Sequence, residues 1–163
     1  DGIQKFGDCL QRTFPLEPTF MATQERIDSV GIFLQTKARI GPAGDIVYFE
    51  VFDNEEFADN PGKTVTFEYP PESSPAIRAK LAPWESCPDT NASLAIEGTV
   101  RFDQFGTDSD DRMIGELVEG KIVDARTDEV VAESLTGTWD FDVEVSAPNR
   151  TWPNDRDEYQ SDP

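Results

Sequence analysis

The stretch Leu135-Thr136-Gly137-Thr138-Trp139-Asp140-Phe141-Asp142-Val143-Glu144-Val145 decides the fold class of this chain. Its odd-numbered positions are apolar or glycine, and its even-numbered positions are polar. Successive side chains of a β-strand point to opposite faces, so this period of two predicts a strand with one buried and one solvated face. Trp139 lies on the apolar face, and we therefore expect it in the core.

A second alternating run extends from Leu94 to Phe105 and predicts another half-buried antiparallel strand. Glycines at 115 and 120, within a further predicted strand, indicate a bulge or a close contact between strands. Strands are also predicted at 29–40, 45–53, 63–69, 113–125 and 130–146. Residues 54–60 suit a helical turn, and 75–84 are ambiguous between strand and helix and are assigned to a strand. The segment 45–53 is apolar on both faces, so we expect a central strand, in a hairpin with 29–40.

These patterns predict an all-β fold, either a single antiparallel β-sandwich or an open barrel-like variant of about seven to eight strands. A chain of 163 residues suits one domain, because about 150 residues can already bury roughly 70% of the unfolded surface. We expect three regions: an extended N-terminal segment at 1–26, the β domain at 27–146 and an acidic, flexible tail at 147–163.

The chain is strongly acidic, with 33 Asp and Glu against 14 Lys and Arg and a formal net charge of −19. Such a surface repels phosphate backbones and anionic lipids, which argues against nucleic-acid and membrane-surface binding. Basic protein partners and divalent cations stay open. The acidity fits a secreted anionic protein, with adaptation to high salt as the alternative.

Cys9 and Cys87 are the only cysteines, and the chain has no histidine. Two thiols alone do not make a Cys/His metal site, and their spacing excludes a CxxC redox pair. We expect one long-range disulfide, which implies an oxidising compartment; the alternative is two buried thiols in a reducing cytosol. No apolar stretch approaches 18 residues, so no transmembrane segment is expected.

The sequence from Cys87 onward resembles small secreted proteins and lipoproteins of delta-proteobacterial and myxobacterial cell envelopes. The resemblance is carried by strand patterns: Cys87-Pro88, Leu94-x-Ile96-x-Gly98-x-Val100-x-Phe102, Gly115-x-Leu117, Ile122-Val123-Asp124-Ala125-Arg126-Thr127 and Leu135-Thr136-Gly137 followed by Phe141 and Val143. It implies an all-β, exported, envelope-associated protein. A lipid anchor would require a cysteine before Asp1, and the alternative is a protein that is simply secreted.

No catalytic residues are expected. A Ser-His triad is excluded because the chain lacks histidine. Paired carboxylates need one acid of raised pKa in a partly apolar cleft, whereas acids on alternating strand positions are usually solvated.

Asp103, Asp108, Asp110 and Asp111 form the one candidate cation site, in and beside the turn after Phe102. Calcium prefers six to eight oxygen ligands, and an acidic turn can supply several of them. The spacing of an EF-hand is absent, however, so solvated turn acids are the preferred interpretation and no cofactor is expected.

Trp84 and Trp152 each lie beside a proline in a predicted loop and are the candidates for an exposed ligand platform. The predicted function is therefore a non-catalytic, secreted or cell-envelope interaction protein, such as an accessory or structural subunit of a surface assembly with protein partners. The alternative is a carbohydrate- or calcium-binding β-sandwich module.

Overall fold

The computed structural model describes residues 20–25, 27–36, 44–83 and 94–143. It confirms the predicted fold class: the protein is mostly β, with antiparallel strands that form an open half-barrel. The elements in chain order are β1 (Phe20–Glu25), β2 (Val30–Gln35), β3 (Ile46–Val51), α1 (Asn54–Asp59), β4 (Lys63–Phe67), β5 (Ile77–Ala82), β6 (Leu94–Phe105), β7 (Arg112–Asp124) and β8 (Glu129–Asp142).

All eight described strands belong to one sheet, so the open barrel-like alternative applies and not two packed sheets. The order is β1-β2-β3-β5-β6-β7-β8, and β4 also pairs with β6. The first part of β6 pairs with β5, from Leu94 to Ile96, and its next part pairs with β4, from Gly98 to Phe102. The long β6 therefore joins the N-terminal strands to the meander β6-β7-β8.

The hydrophobic pattern accounts for the position of β3. Val47, Phe49 and Val51 contribute to the main core, while Ile46 and Tyr48 contribute to a second cluster on the opposite face. β3 pairs with β2 on one side and with β5 on the other, which confirms both the predicted hairpin and the central position. The ambiguous segment 75–84 contains the strand β5, as assigned.

The main core lies on one face of the sheet, and Phe57 of α1 contributes to it. Phe57 of α1 is buried and packs against Phe102 and Phe105 of β6, with ring centroids 5.1 and 5.9 Å apart. Trp139 of β8 is 5% exposed and packs against Phe49 at 5.1 Å, which confirms its predicted place in the core. The aromatic rings thus link the helix, the central strand and the last strand.

Irregular pairing occurs at Gly120, one of the two glycines that indicated a bulge or close contact in the sequence. The β7–β8 register shifts on both sides of Gly120, and the β6–β7 register shifts between Thr99 and Val100. Gly98 is paired with Gly120, and a Cβ on Gly98 would lie 2.2 Å from the carbonyl oxygen of Glu119. A bulge and a close backbone contact are therefore both present.

Part of the sequence interpretation falls outside the described residues: Cys9, Cys87, Trp84, Trp152 and the tail at 147–163. Of the predicted N-terminal segment, residues 20–25 are described, and they form β1 at the end of the described sheet, antiparallel to β2.

Candidate functional site

The candidate cation residues are divided between two places. Asp103 lies on β6, where its carboxylate accepts hydrogen bonds from the Nε and Nη2 atoms of Arg101, at 3.0 and 3.2 Å. Asp108, Asp110 and Asp111 lie in the turn between β6 and β7. Asp103 is therefore engaged by an arginine of its own strand.

The turn that carries the other three acids is closed by its own hydrogen bonds. The N–H of Asp111 donates to the carbonyl of Asp108 at 3.1 Å, and the N–H of Asp108 donates to the Asp111 carboxylate at 3.2 Å. The turn also bonds to Val143 after β8, through the N–H of Asp110 and the carbonyl of Asp111. Within residues 20–25, 27–36, 44–83 and 94–143, no three Asp, Glu, His or Cys side chains are placed to hold a metal ion.

The last strand, β8, is the most exposed long element that the structure describes. It has 14 residues, and β7 is the only described strand that pairs with it. None of its residues from Glu129 to Thr138 is buried, and the side chain of Val130 is 46% exposed. At Gly137 an added Cβ would meet no atom within 4 Å. In this half of the strand Val131, Ala132 and Leu135 are partly buried against the main core, while the other residues are exposed, and no described strand pairs with the edge that faces away from β7.

An arginine on the neighbouring strand is shared by two carboxylates of β8. Arg112 of β7 contacts Asp140 and Asp142 of β8, both at 2.6 Å. Its hydrogen bonds with Asp140 and then Asp142 raise the pKa of Arg112. The bases are therefore outnumbered by acids even where ion pairs form.

On β6, the strand beyond β7, another arginine is likewise shared by two carboxylates. Arg101 of β6 contacts Asp103 and Glu116, and the hydrogen bond with Asp103, with the charges of both acids, raises the pKa of Arg101. Arg101 and Glu116 are paired in the register of β6 and β7 and point away from the main core. This outer face keeps a net negative charge.

A cleft of about 560 Å³ lies where β4 meets the bulged part of β6, β7 and β8. Its polar side chains are mainly carboxylates and hydroxyls, and they include one base, Lys121, which lies 3.5 Å from Glu97. Thr66 and Thr99 are 3.2 Å apart across the β4–β6 pair. The other polar lining residues are Glu68, Tyr69, Glu119, Glu133 and Ser134. The cleft has the hydrogen-bonding groups that a polar ligand would need.

The turn between β7 and β8 is organised by a buried acid. Asp124 accepts hydrogen bonds from the backbone N–H of Arg126 at 3.0 Å and from its guanidinium at 3.1 and 3.3 Å. Burial alone raises the pKa of Asp124, but the side-chain and backbone hydrogen bonds of Arg126 and its charge outweigh burial and lower the pKa. This acid fixes the turn that starts β8, because its carbonyl also accepts from Asp128 at 2.9 Å.

In comparisons with known proteins, no protein-family model, curated protein or solved structure matched this chain. The described part of the chain contains no helix long and apolar enough to cross a membrane.

The exposure of β8 was not predicted from the sequence. The alternating run at 135–145 predicts a strand and its two faces. Such a pattern does not show whether the strand has one neighbour or two. A signal was available, since β8 contains four acids and no lysine or arginine.

Proposed function

We propose that this protein is a non-catalytic interaction protein that binds a protein partner at the exposed edge of β8. The observation that carries the proposal is the combination in this strand of its length, a single described neighbour and the lack of any buried residue from Glu129 to Thr138.

The physical reason lies in the backbone. An edge strand presents a row of N–H and C=O groups that another extended chain can pair with, as in β-strand addition. Proteins usually protect such edges with short strands, lysine or proline. β8 has 14 residues and contains neither lysine nor proline, although the bulge near Ser134 interrupts its pairing with β7. Its acidic side chains keep the edge soluble while it remains available to a partner.

The proposed location is the extracellular space or the cell envelope, and the proposed role is that of an accessory or structural subunit of a surface assembly. The acidic composition and the two cysteines support this location, because a single disulfide between Cys9 and Cys87 would persist only in an oxidising compartment.

A second candidate function, a carbohydrate-binding module, is favoured by the cleft beside β4. Carboxylates, hydroxyls and the ring of Tyr69 line it, and these are groups that bind polar, hydroxyl-rich ligands. The acidic turn is the corresponding candidate for calcium. The edge strand ranks first because it offers a longer row of pairing groups than the cleft.

The experiment uses proline to block the edge. Thr136→Pro and Gly137→Pro are made as a pair, because N–H groups of adjacent strand residues point to opposite sides and only one of the two faces the open edge. The variant that keeps the wild-type melting temperature is the edge variant. The other loses a hydrogen bond to β7 and reports the cost of breaking the sheet.

Wild type and the edge variant are then used to capture proteins from secreted and envelope fractions of the source cells, followed by chemical cross-linking. The proposal expects cross-links to residues 129–138 in the wild type and their loss in the edge variant. Equal capture by both proteins, or cross-links confined to other surfaces, would contradict it. Saturable binding of a soluble oligosaccharide, lost in Glu97→Gln, would favour the second candidate.

A further inference from the structure

The charges along β8 are all of one sign. The strand carries Glu129, Glu133, Asp140 and Asp142 and no basic residue. Asp140 and Asp142 share Arg112, so the end of β8 nearest the acidic turn is only half neutralised.

The negative charge of the half from Glu129 to Thr138 is not neutralised by any ion pair among the described residues. In the part of the chain that the structure describes, no ion pair involves Glu129 or Glu133. On the adjacent β7, Glu119 is exposed as well, and Glu116 shares Arg101 with Asp103. A strand added to β8 would therefore place its side chains in a negative field.

This field disfavours a second copy of the chain as the occupant. Antiparallel pairing of two β8 strands would place no base opposite any acid in any register, and in the registers that align acids it would set like charges on facing positions, which is destabilising. Each copy also carries a formal net charge of −19, which adds long-range repulsion. A neutral strand would avoid the repulsion but would leave the acids of β8 uncompensated.

We infer that the partner segment that pairs with β8 is basic, an extended peptide in which lysine or arginine alternates with β-branched residues. The inference rests on the proposed function, since it names the chemistry of the partner at that same edge. The bulge between Val130 and Ala132 places Glu129 and Glu133 on opposite faces of β8. Bases on one face of such a segment lie opposite Glu129, within the cross-strand distance at which opposite charges attract, and Glu133 adds to the same negative field. The apolar positions between the bases would cover the exposed side chain of Val130, which is 46% accessible in the chain alone.

The charge also predicts how binding responds to salt. Complementary charges at an exposed edge speed association and are screened by ions. The affinity for a basic strand should therefore fall on the order of tenfold when sodium chloride is raised to about 0.5 M. A partner held by backbone pairing and apolar contacts alone would bind nearly as well in salt.

The experiment uses three fluorescent peptides of about ten residues, the length of strand that β8 exposes. One alternates Lys and Val, one alternates Glu and Val, and one alternates Lys and Pro. The third keeps the charge of the first, but proline supplies no N–H at alternate positions and does not continue a sheet. Binding is followed by fluorescence anisotropy, and hydrogen exchange of the β8 amides reports strand pairing.

We expect the Lys-Val peptide to bind and to protect the β8 amides from hydrogen exchange. The affinities of the other two peptides should be at least about tenfold lower. Equal binding of Lys-Val and Glu-Val, both with β8 protection, would overturn the basic partner and leave the edge as the binding site. Equal binding of Lys-Val and Lys-Pro without protection would instead overturn strand pairing, and the proposed function with it. No binding of Lys-Val, or dimers of the protein that form through β8, would also overturn the inference.

Two charge variants provide the matched comparison. Glu129→Gln with Glu133→Gln removes two charges from β8, and Glu55→Gln with Asp59→Asn removes two exposed charges from α1. The β8 variant should lower the affinity for the Lys-Val peptide on the order of tenfold and make that affinity less dependent on salt. The α1 variant should leave the affinity and its salt dependence near those of the wild type. Equal effects of the two pairs would show that net charge alone attracts the peptide, which would contradict a partner specific to β8.

Discussion

Gly115 of β7 lies directly opposite Trp139 of β8, and the indole ring extends across it. A Cβ at position 115 would lie 2.4 Å from the Cζ2 atom of the tryptophan. The glycine therefore makes room for the largest side chain of the core. The indole in turn packs against Phe49 of β3 and Phe102 of β6, at 5.1 and 5.8 Å between ring centroids.

Gly115→Ala should destabilise the protein by about 1–3 kcal/mol, because the added methyl group overpacks the site and displaces the indole. Gly137→Ala is the matched control on the neighbouring strand, since an added Cβ there meets nothing within 4 Å. The free energies of unfolding are measured by urea denaturation. Equal losses in the two variants would mean that the effect comes from glycine as such and not from contact with Trp139.

Trp139→Ala should cost about 3–5 kcal/mol, because it leaves a large cavity among the aromatic rings. Trp139→Phe should cost less, since the buried Nε1 atom has no hydrogen-bond partner among the residues that the structure describes and an aromatic ring is retained. Asp140→Ala, at the next and exposed position, should leave the unfolding midpoint near that of the wild type. Similar midpoints for Trp139→Ala and Asp140→Ala would contradict the assignment of the two faces of β8.

The Asp124–Arg126 contact should make stability depend on pH in the acid range. The folded pKa of Asp124 is lowered, so its contribution is fully present above the ordinary aspartate value of about 4 and is lost as the pH falls through the folded pKa. Asp124→Asn should therefore be less stable at neutral pH and lose less stability below about pH 4. Urea midpoints between neutral pH and about pH 2 test this.

Arg126→Gln provides the complementary test of the same contact. It leaves the buried Asp124 carboxylate without its cation, so the acid limb of the stability curve should move toward higher pH. An unchanged pH profile in both variants would contradict a role for this pair in anchoring the turn before β8.

Calcium should not stabilise the acidic turn specifically. Asp103 is engaged by Arg101, and the turn at 108–111 is closed by its own hydrogen bonds. Any rise in melting temperature in millimolar calcium should be reproduced by sodium chloride at matched ionic strength, since both screen the charge of −19. A calcium-specific rise that Asp110→Asn abolishes would overturn this prediction and favour the calcium-binding alternative.

Cys9 and Cys87 should be bridged in the native protein. In the chain-entropy model, closing a loop of this length contributes on the order of 4 kcal/mol, less any strain. Intact mass after alkylation, with and without reduction, tests the bridge. Two alkylated thiols without reduction would show that the cysteines are free.

Local chemistry in the sequence determined most of the strands and the position of β3, but β1 (Phe20–Glu25) was not among the predicted strands. Side chains alternate with a period of two in any strand, so Leu94 to Phe105 was assigned with the bounds that the structure has. Apolar residues on both faces of 45–53 required neighbours on both sides, and the acidic segment before Pro61-Gly62 became α1. These features depend on residues close together in the chain.

Only the tertiary structure decided which strands are neighbours and which edge remains open. Periodicity is the same for a central and an edge strand, so it did not show that β4 and β5 share β6 or that β8 has one described neighbour. It also did not show that Arg101, which binds Asp103 of its own strand, also contacts Glu116 of β7. Pairing order and ion pairs depend on contacts between residues far apart in the chain, and those contacts form only when the whole sheet closes around its core.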